Sequence, residues 1–360
     1  MNWSTRRRLD IRSTRQTPRG KPLGEDALTT VQPQPQSRPG LPAADAATQP
    51  SGADDVSVCI ATYRRLPLLD ALLQDLAAQT LPPREVVVVD NDPDGSARSV
   101  VESHRAALAR AGCALVYGVQ PEKNISLTRN MTVALAQGTW LAFIDDDERA
   151  PPQWLALLIA AAREHRADGV QAPVIPELPP HAPAWIRRGG FYDWSRFRSG
   201  DIVPRNSLRF GNIMLAARWL RRQHPHPVFD PVHGLTGGED GDLLMRLAGQ
   251  GARLVWCDEA HVMEPVADGR MHVSWILNRA LRGGQDFAIH FRAGKLDARP
   301  GAARTLVFFG RAIAQMLAAA MFALLLWPLG RHHAVRWLAR AYANYGKLST
   351  LWGSRYREYA

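Results

Sequence analysis

Cysteine is scarce in this chain: of 360 residues only Cys59, Cys113 and Cys257 are cysteines, far apart and each inside an apolar, strand-like run. That spacing excludes a zinc framework and a disulfide-stapled fold, and reads as small core residues in a reducing compartment. No G-x-G-x-x-G follows the first strand and no G-x-x-x-x-G-K-[ST] occurs, so neither a dinucleotide fingerprint nor a P-loop accounts for any phosphate affinity. Arg6, Arg7 and Arg8 are not followed by an apolar run, so a secretory signal is not expected. His224, His226, His332 and His333 lack acid partners at metal-site spacing. Basic and aromatic residues form no nucleic-acid motif, and no nucleic-acid partner is expected.

What is present is ample material for one large α/β domain or two lobes sharing a core, with 46% hydrophobic and 22% charged residues. The net charge of +10 calls for an anionic partner, such as a phosphate-rich substrate or an anionic membrane surface. Residues 1–54 are rich in Arg, Pro, Gln, Ser and Thr without apolar periodicity, and read as a disordered basic extension.

From Val56 onward the pattern changes. V-S-V-C-I-A-T (56–62) is a buried-strand run, Leu66, Leu69, Leu72, Leu73 and Leu76 follow at helical spacing, and E-V-V-V-V-D (85–90) is a second strand. Helices over 97–111 and 127–137 alternate with strands over 114–118 and 140–144, which predicts a doubly wound α/β sheet. Such sheets bind ligands beyond the carboxyl ends of their strands. Three polar sets fall there: Thr62, Tyr63 and Arg64; Asp90, Asn91 and Asp92; and Asp145, Asp146 and Asp147. Carboxylates of this kind hold hard divalent cations that bridge phosphate oxygens, and an aromatic ring beside a carboxylate suits a nucleobase. Each set alone reads equally well as a capping or Asx turn; their convergence favours a ligand.

The second half adds another acid pair. In G-L-T-G-G-E-D-G-D-L-L-M-R-L (234–247), Glu239 and Asp240 follow two glycines at the start of a helix whose apolar face is Leu243, Leu244 and Leu247. Acids on a movable loop at a helix N-terminus stay ionised and suit a general base, with ordinary N-capping as the alternative.

In this order, V-C-I-A-T-Y-R-R, V-V-V-V-D-N-D, N-I-S-L-T-R-N-M-T-V-A-L-A-Q-G-T-W-L-A-F-I-D-D-D-E and G-L-T-G-G-E-D-G-D-L-L-M-R-L resemble the inverting family 2 glycosyltransferases. Among these, the chain is similar to the bacterial exopolysaccharide transferases of the succinoglycan glucosyltransferase type, over roughly residues 56–291. The resemblance implies a GT-A fold, a mixed sheet flanked by helices, over 55–300, with a donor half to about 150 and an acceptor half beyond it. It implies that Thr62, Tyr63, Arg64, Asp90 and Asn91 hold the nucleoside of a UDP-sugar, with Asp90 at the uracil edge. Asn124, Arg129, Asn130, Asp145 and Asp146 would line the donor pocket. Asp145 and Asp147 would be the ends of a D-x-D motif, with Asp147 the direct ligand of Mn²⁺ or Mg²⁺. Asp240 would be the catalytic base, Glu239 its neighbour, and Gly211, Asn212 and Gly238 would meet the acceptor. His261 and Glu264 fall after the last core strand, and His261 is not assigned as a ligand.

The implied reaction moves a hexose, glucose first, from a UDP-sugar to a hydroxyl of a glycan acceptor, carried on a polyprenyl diphosphate, in cell-surface or exopolysaccharide synthesis. A metal-dependent nucleotide-sugar phosphohydrolase and a non-catalytic assembly subunit are the alternatives. Trp185, Phe191, Tyr192, Trp194 and Phe197 lie in an aromatic loop stretch that either stacks on an acceptor or caps the sheet. Finally, 305–329 is strongly apolar and about as long as a minimal span, but the cations after it oppose a single crossing by the positive-inside rule. Residues 301–360 are therefore expected to form a monotopic or re-entrant helical anchor on the cytoplasmic face of the inner membrane, with a helical pair packed on the domain as the alternative.

Overall fold

A computed structural model describes residues 55–353, apart from 225, 236 and 297. The basic extension expected over residues 1–54 lies outside the described residues. The first half alternates β1 (Val56–Thr62), α1 (Leu66–Ala77), β2 (Glu85–Asp90), α2 (Arg98–Arg110), β3 (Ala114–Val119), α3 (Ile125–Leu135), β4 (Trp140–Phe143) and α4 (Trp154–Glu164). Then come β5 (Gly169–Gln171), β6 (Val174–Glu177), α5 (Ala184–Arg187), β7 (Ile213–Ala216), α6 (Ala217–Arg221), α7 (Glu239–Gly249), β8 (Leu254–Trp256) and β9 (Val262–Pro265). Three helices finish the described chain: α8 (Val273–Arg292), α9 (Ala302–Leu325) and α10 (Arg331–Ser349).

The main sheet has the order β3-β2-β1-β4-β7-β5-β8. Its first four strands are parallel, as the alternation of strand and helix requires, while β7 runs antiparallel to both β4 and β5. A second sheet pairs β6 with β9 in parallel. Every residue of β2 is buried, because helices cover both faces of the sheet and its run of valines meets apolar partners on each side. In register, Thr62 of β1 stands beside Asp90 of β2, and β4 ends opposite Cys59, so Asp145–Asp147 emerge next to the end of β1.

The helix expected over 127–137 begins two residues earlier, because the Asn124 side chain caps it by accepting a hydrogen bond from Leu127 N at 3.1 Å. It stops before Gly138, which is used differently: Gly138 N donates to Ser57 Oγ at 2.8 Å, and a Cβ there would press on the Ser57 backbone.

At the C-terminal end, α10 packs along both α8 and α9. Gly284 and Gly346 let α8 and α10 touch backbone to backbone, since a Cβ on either would run into the facing carbonyls of Ala343 or Leu281. Gln285 Nε2 donates to Ser349 Oγ at 2.8 Å across the same contact. The outward side of α9 is different: Leu306 and Leu324 are 75% and 78% exposed, with Val307 and Leu317 also bare. Among the described residues α9 is one helix long and apolar enough to cross a membrane, with a mean hydropathy of 1.7 over its best window.

Candidate active site

A cavity of about 680 Å³ opens beyond the carboxyl ends of β1, β2 and β4, where the strand pattern predicts it. Its walls bring together Thr62, Tyr63, Asn91, Asn124, Arg129 and Asp145–Asp147 from the first half with Gly238, Glu239 and Asp240 from the second. Thr62 and Asp240, far apart in the chain, thus face one volume because β1, β4 and the turn before α7 end at the same edge.

The acid triplet is tied down by arginines. Thr62 Oγ1 donates to Asp146 Oδ2 at 2.7 Å, and Arg65 Nη1 donates to both Asp146 Oδ1 (2.9 Å) and Asp147 Oδ2 (3.0 Å). Arg270 donates to Asp147 Oδ2 at 3.0 Å and also pairs with Glu264. Arg129 spans the two halves: Nη2 donates to Asp145 Oδ1 at 3.2 Å, Nη1 pairs with Glu239, and its guanidinium lies 4.7 Å from the Phe210 ring centre. Behind the triplet, Asp145 N donates to Glu148 Oε2 at 3.0 Å.

Burial outweighs what these arginines offset. Enclosure lifts the Asp145 carboxyl above the usual range, Asp147 and Asp240 lift it further, and Arg129 opposes them. Burial likewise raises Asp146 to about 6, against Arg65 and Thr62. Glu148 is driven well above the carboxylate range by burial and then by Asp145. Burial takes Glu239 to about 7, with Arg129 pulling down and Asp240 pushing up, and Glu239 Oε2 has no hydrogen-bond partner among the described residues. Glu264 is raised by burial while Arg270 lowers it.

The turn into α7 is built from glycines for a steric reason. Gly237 and Gly238 have φ of +75° and +92°, the left-handed region that a side chain disfavours, and this presents Glu239 and Asp240 at the start of the helix. Asp240 Oδ1 accepts a hydrogen bond from Gly241 N at 2.6 Å.

Several residues named from the sequence sit elsewhere. Asp90 is fully buried and does not line the cavity, and its oxygens accept from Asp92 N (2.9 Å), Ala97 N (2.8 Å) and the Tyr117 hydroxyl (3.0 Å), which pins the β2 loop. Arg64, at a φ of +56°, turns aside to a two-point pair with Asp92, at 2.8 and 3.1 Å; its neighbour Arg65 takes the cavity. Asn130 exchanges hydrogen bonds with the Phe229 backbone at 2.7 and 2.9 Å and fastens that loop to α3. Asn212 is buried, accepting from Trp154 Nε1 at 2.8 Å and donating to the Pro173 and Ala260 carbonyls, which fixes β7 rather than an acceptor. Gly211, at a φ of +99°, lies where a Cβ would stand 3.0 Å from Glu148 Oε1, so it makes room behind the acids. Asn91 lines the cavity while its side chain ties the loop over 120–124, donating to the Gln120 and Glu122 carbonyls and accepting from Asn124 N. Tyr63 is exposed at the rim, with Lys123 Nζ 5.9 Å from its ring centre.

The sequence reading passed over Arg65, Lys123, Arg270, Trp275 and Arg282, which line the cavity, and left Glu264 unassigned. Arg65 was one residue from a chosen one; Arg270 and Arg282 follow β9, where no motif marks them. His261 does not line the cavity. Among the described residues, no group of three or more His, Cys, Asp or Glu side chains is arranged to hold a metal ion.

Comparison with known proteins agrees with this architecture. Residues 57–207 match the model of the family described as glycosyl transferase family 2. The chain is 35% identical over 240 residues to the succinoglycan biosynthesis protein ExoM of Rhizobium meliloti (strain 1021), covering 64% of this chain and 72% of that relative. It is 36% identical over 110 residues to the validoxylamine A glucosyltransferase of Streptomyces hygroscopicus subsp. limoneus, but spans only 23% of that protein and 29% of this one. In fold it is similar to the mannosyltransferase PcManGT from Pyrobaculum calidifontis, solved with GDP-Man and Mn²⁺, with a TM-score of 0.57, 19% identity and coverage of 86% of this chain and 91% of that one. The chain belongs to glycosyl transferase family 2 and has the GT-A architecture, a seven-stranded mixed sheet flanked by helices.

Proposed function

We propose that this glycosyltransferase moves a hexose from a nucleoside diphosphate sugar to a hydroxyl of a glycan acceptor, with inversion, in exopolysaccharide assembly. The supporting observation is the single cavity in which the acid triplet of the first half faces Glu239 and Asp240 of the second, bridged by Arg129. A single displacement needs a base for the attacking hydroxyl and compensation for the departing diphosphate, and these lie on opposite sides of that bridge. The acceptor oxygen forms its bond to the anomeric carbon as the bond to the diphosphate oxygen breaks, and the electron pair leaves with the diphosphate. The hydroxyl proton passes to Asp240, whose Oδ1 is already oriented by Gly241 N.

Mg²⁺ is commonly held by one or two carboxylates together with substrate phosphates, so a full protein cage is not required. Asp145 and Asp147 offer hard oxygen donors of that kind, and a divalent cation would offset the burial and the neighbouring carboxylates that lift Asp145; the donor set fits Mn²⁺ or Mg²⁺. When bound, the ion supplies charge neutralisation at the leaving diphosphate. Thr62, Tyr63, Asn91 and Lys123 lie at the end of the cavity that suits the nucleoside. We take the donor as a UDP-hexose, glucose first, on the succinoglycan-type resemblance and on one partial relative being a glucosyltransferase. The bare apolar side of α9 supports a position on the cytoplasmic face of the cell membrane, where a polyprenyl-linked acceptor is presented.

Asp240→Asn tests the central assignment. Transfer is expected to fall by about 10²–10⁴-fold with nucleotide binding retained; near-normal turnover in a folded variant removes Asp240 from the role of base. Product analysis separates transfer from phosphohydrolysis, which would release free sugar without an acceptor.

A further inference from the structure

A second cavity, of about 610 Å³, adjoins the first across Asp240 and extends away from the acid triplet toward α8 and α10. Asp240, Gly238, Trp194, Arg209, Arg279 and Arg282 line both volumes and form the wall between them, whereas Asp145, Asp146 and Asp147 line only the first. A group held on the second cavity's side of that shared wall is within the reach of the proposed base, while Asp145, Asp146 and Asp147 face only the other side. Its charge is lopsided: Arg205, Arg209, Arg279, Arg282, Arg336 and Arg340 face it, against the carboxylates of Asp240 and Asp286 alone.

Two of these arginines are unusual. Arg209 and Arg279 are half-buried, and neither has a carboxylate partner among the described residues. Both instead lie against the same indole, with guanidinium carbons 3.6 Å and 4.8 Å from the Trp194 ring centre, and Arg279 also lies 5.2 Å from the Trp275 ring. Two like charges held beside one ring repel each other, and taking them out of water without a counter-charge is costly. Burial and then Arg279 push Arg209 down to about 9, while burial brings Arg279 to about 10, lowered further by Arg282 and Arg270 against Glu264. An anion between them relieves both costs, and a guanidinium fixed on an aromatic face is preorganised for bidentate contact with phosphate oxygens.

Resting on the transferase reading above, we propose that the Arg209–Trp194–Arg279 cluster binds a phosphate ester carried by the acceptor, so that the glycan hydroxyl is presented to Asp240 while its phosphate-linked stem runs toward α8 and α10. The direction is set by the fold. Arg336 and Arg340, at the far end of the cavity, belong to α10, which packs on α9 and its bare apolar side. A carrier leaving the cavity past those arginines is directed toward α9, the one helix among the described residues long and apolar enough to cross a membrane. Two more of these arginines meet backbone oxygens: Arg336 donates to the Gly189 carbonyl at 2.8 Å, and Arg205 reaches the Lys295 and Ala248 carbonyls at 3.4 and 3.3 Å.

Geranyl phosphate is the probe, with geraniol as the neutral control, titrated into the full chain by calorimetry with UDP and Mn²⁺ at saturation and again without them. The proposal expects geranyl phosphate to bind while UDP is bound, geraniol to bind far more weakly, and Arg209→Gln and Arg279→Gln each to weaken the phosphate by about tenfold or more. UDP affinity in the same variants is expected to stay within about twofold, and Arg209→Lys, which keeps the charge, is expected to recover part of the loss. Displacement of geranyl phosphate by UDP would assign the arginines to the donor's phosphates and overturn the proposal. So would unchanged binding in both glutamine variants, or no binding to the wild type. Should UDP fail to bind the wild type, the nucleotide reading of the first cavity falls, while the titration without UDP still decides this one.

Discussion

At the residue scale the cavity sets a cluster of acids against six arginines and Lys123, and Glu239 is its most sensitive member. Its carboxyl is almost wholly buried, with one oxygen on Arg129 and the other unpaired, and its pKa is raised to about 7. A carboxyl whose folded-state pKa lies above its unfolded value stabilises the fold most at low pH and loses that contribution as pH rises through the folded value. Wild-type protein free of ligands is therefore expected to lose on the order of 3 kcal/mol relative to Glu239→Gln between about pH 4.5 and pH 7 and above. Chemical denaturation of both proteins at pH 5 and pH 8 measures it; parallel stability curves would remove Glu239 as the titrating group. Arg129 holds the other side of the balance. Arg129→Met leaves Glu239 and Asp145 without their shared cation, and is expected to destabilise the fold by about 3–5 kcal/mol, read as a fall in the denaturation midpoint; a change under about 1 kcal/mol would mean the pair is screened.

At the element scale, the strands and helices were legible where one force dominated. The valines of β2 and the leucines of α1 could serve only as a buried strand and an amphipathic face, and both form over the expected residues. The triplet and the glycine–acid turn were legible because each stands at the end of such an element. Asp90, Arg64, Asn130 and Asn212 were not, because a polar residue at a strand or helix end serves equally to satisfy backbone groups and to meet a ligand, and only the three-dimensional partners distinguish the two. Arg270 joins Asp147 across 123 residues of chain, a contact that no local spacing encodes. The antiparallel β7 was also beyond a pattern of alternating strands and helices, since I-M-L-A is equally apolar in either direction.

The same scale carries the test of the membrane contact. Leu306, Leu317 and Leu324 lie on the bare side of α9 and are expected to enter lipid, so changing all three to Gln removes apolar area without opening the α8–α10 contact. Flotation with vesicles containing anionic lipid is expected to carry the wild type and leave the triple variant behind, with thermal midpoints within a few degrees. Equal flotation would show that α9 is not the contact.

At the scale of the whole molecule, the two halves meet at one edge of the sheet: the first brings Thr62, Tyr63, Asn91 and the acid triplet to the cavity, and the second brings Glu239 and Asp240 on a glycine turn. Part of the chain's net charge of +10 gathers around the second cavity, where six arginines outnumber two aspartates. On the proposed reading, a chain with no phosphate-binding loop meets the charge of a leaving diphosphate with side chains placed by the packing of their elements, from the ends of β1 and β4, from α3 and from the α7 turn.

Calorimetric titration of UDP into wild type and Asp147→Asn, each with and without Mn²⁺, tests this account most directly because it requires no acceptor. The account predicts binding by the wild type that is strengthened by Mn²⁺, and loss of that strengthening in Asp147→Asn. Failure of folded wild type to bind UDP or GDP with Mn²⁺ present would contradict it.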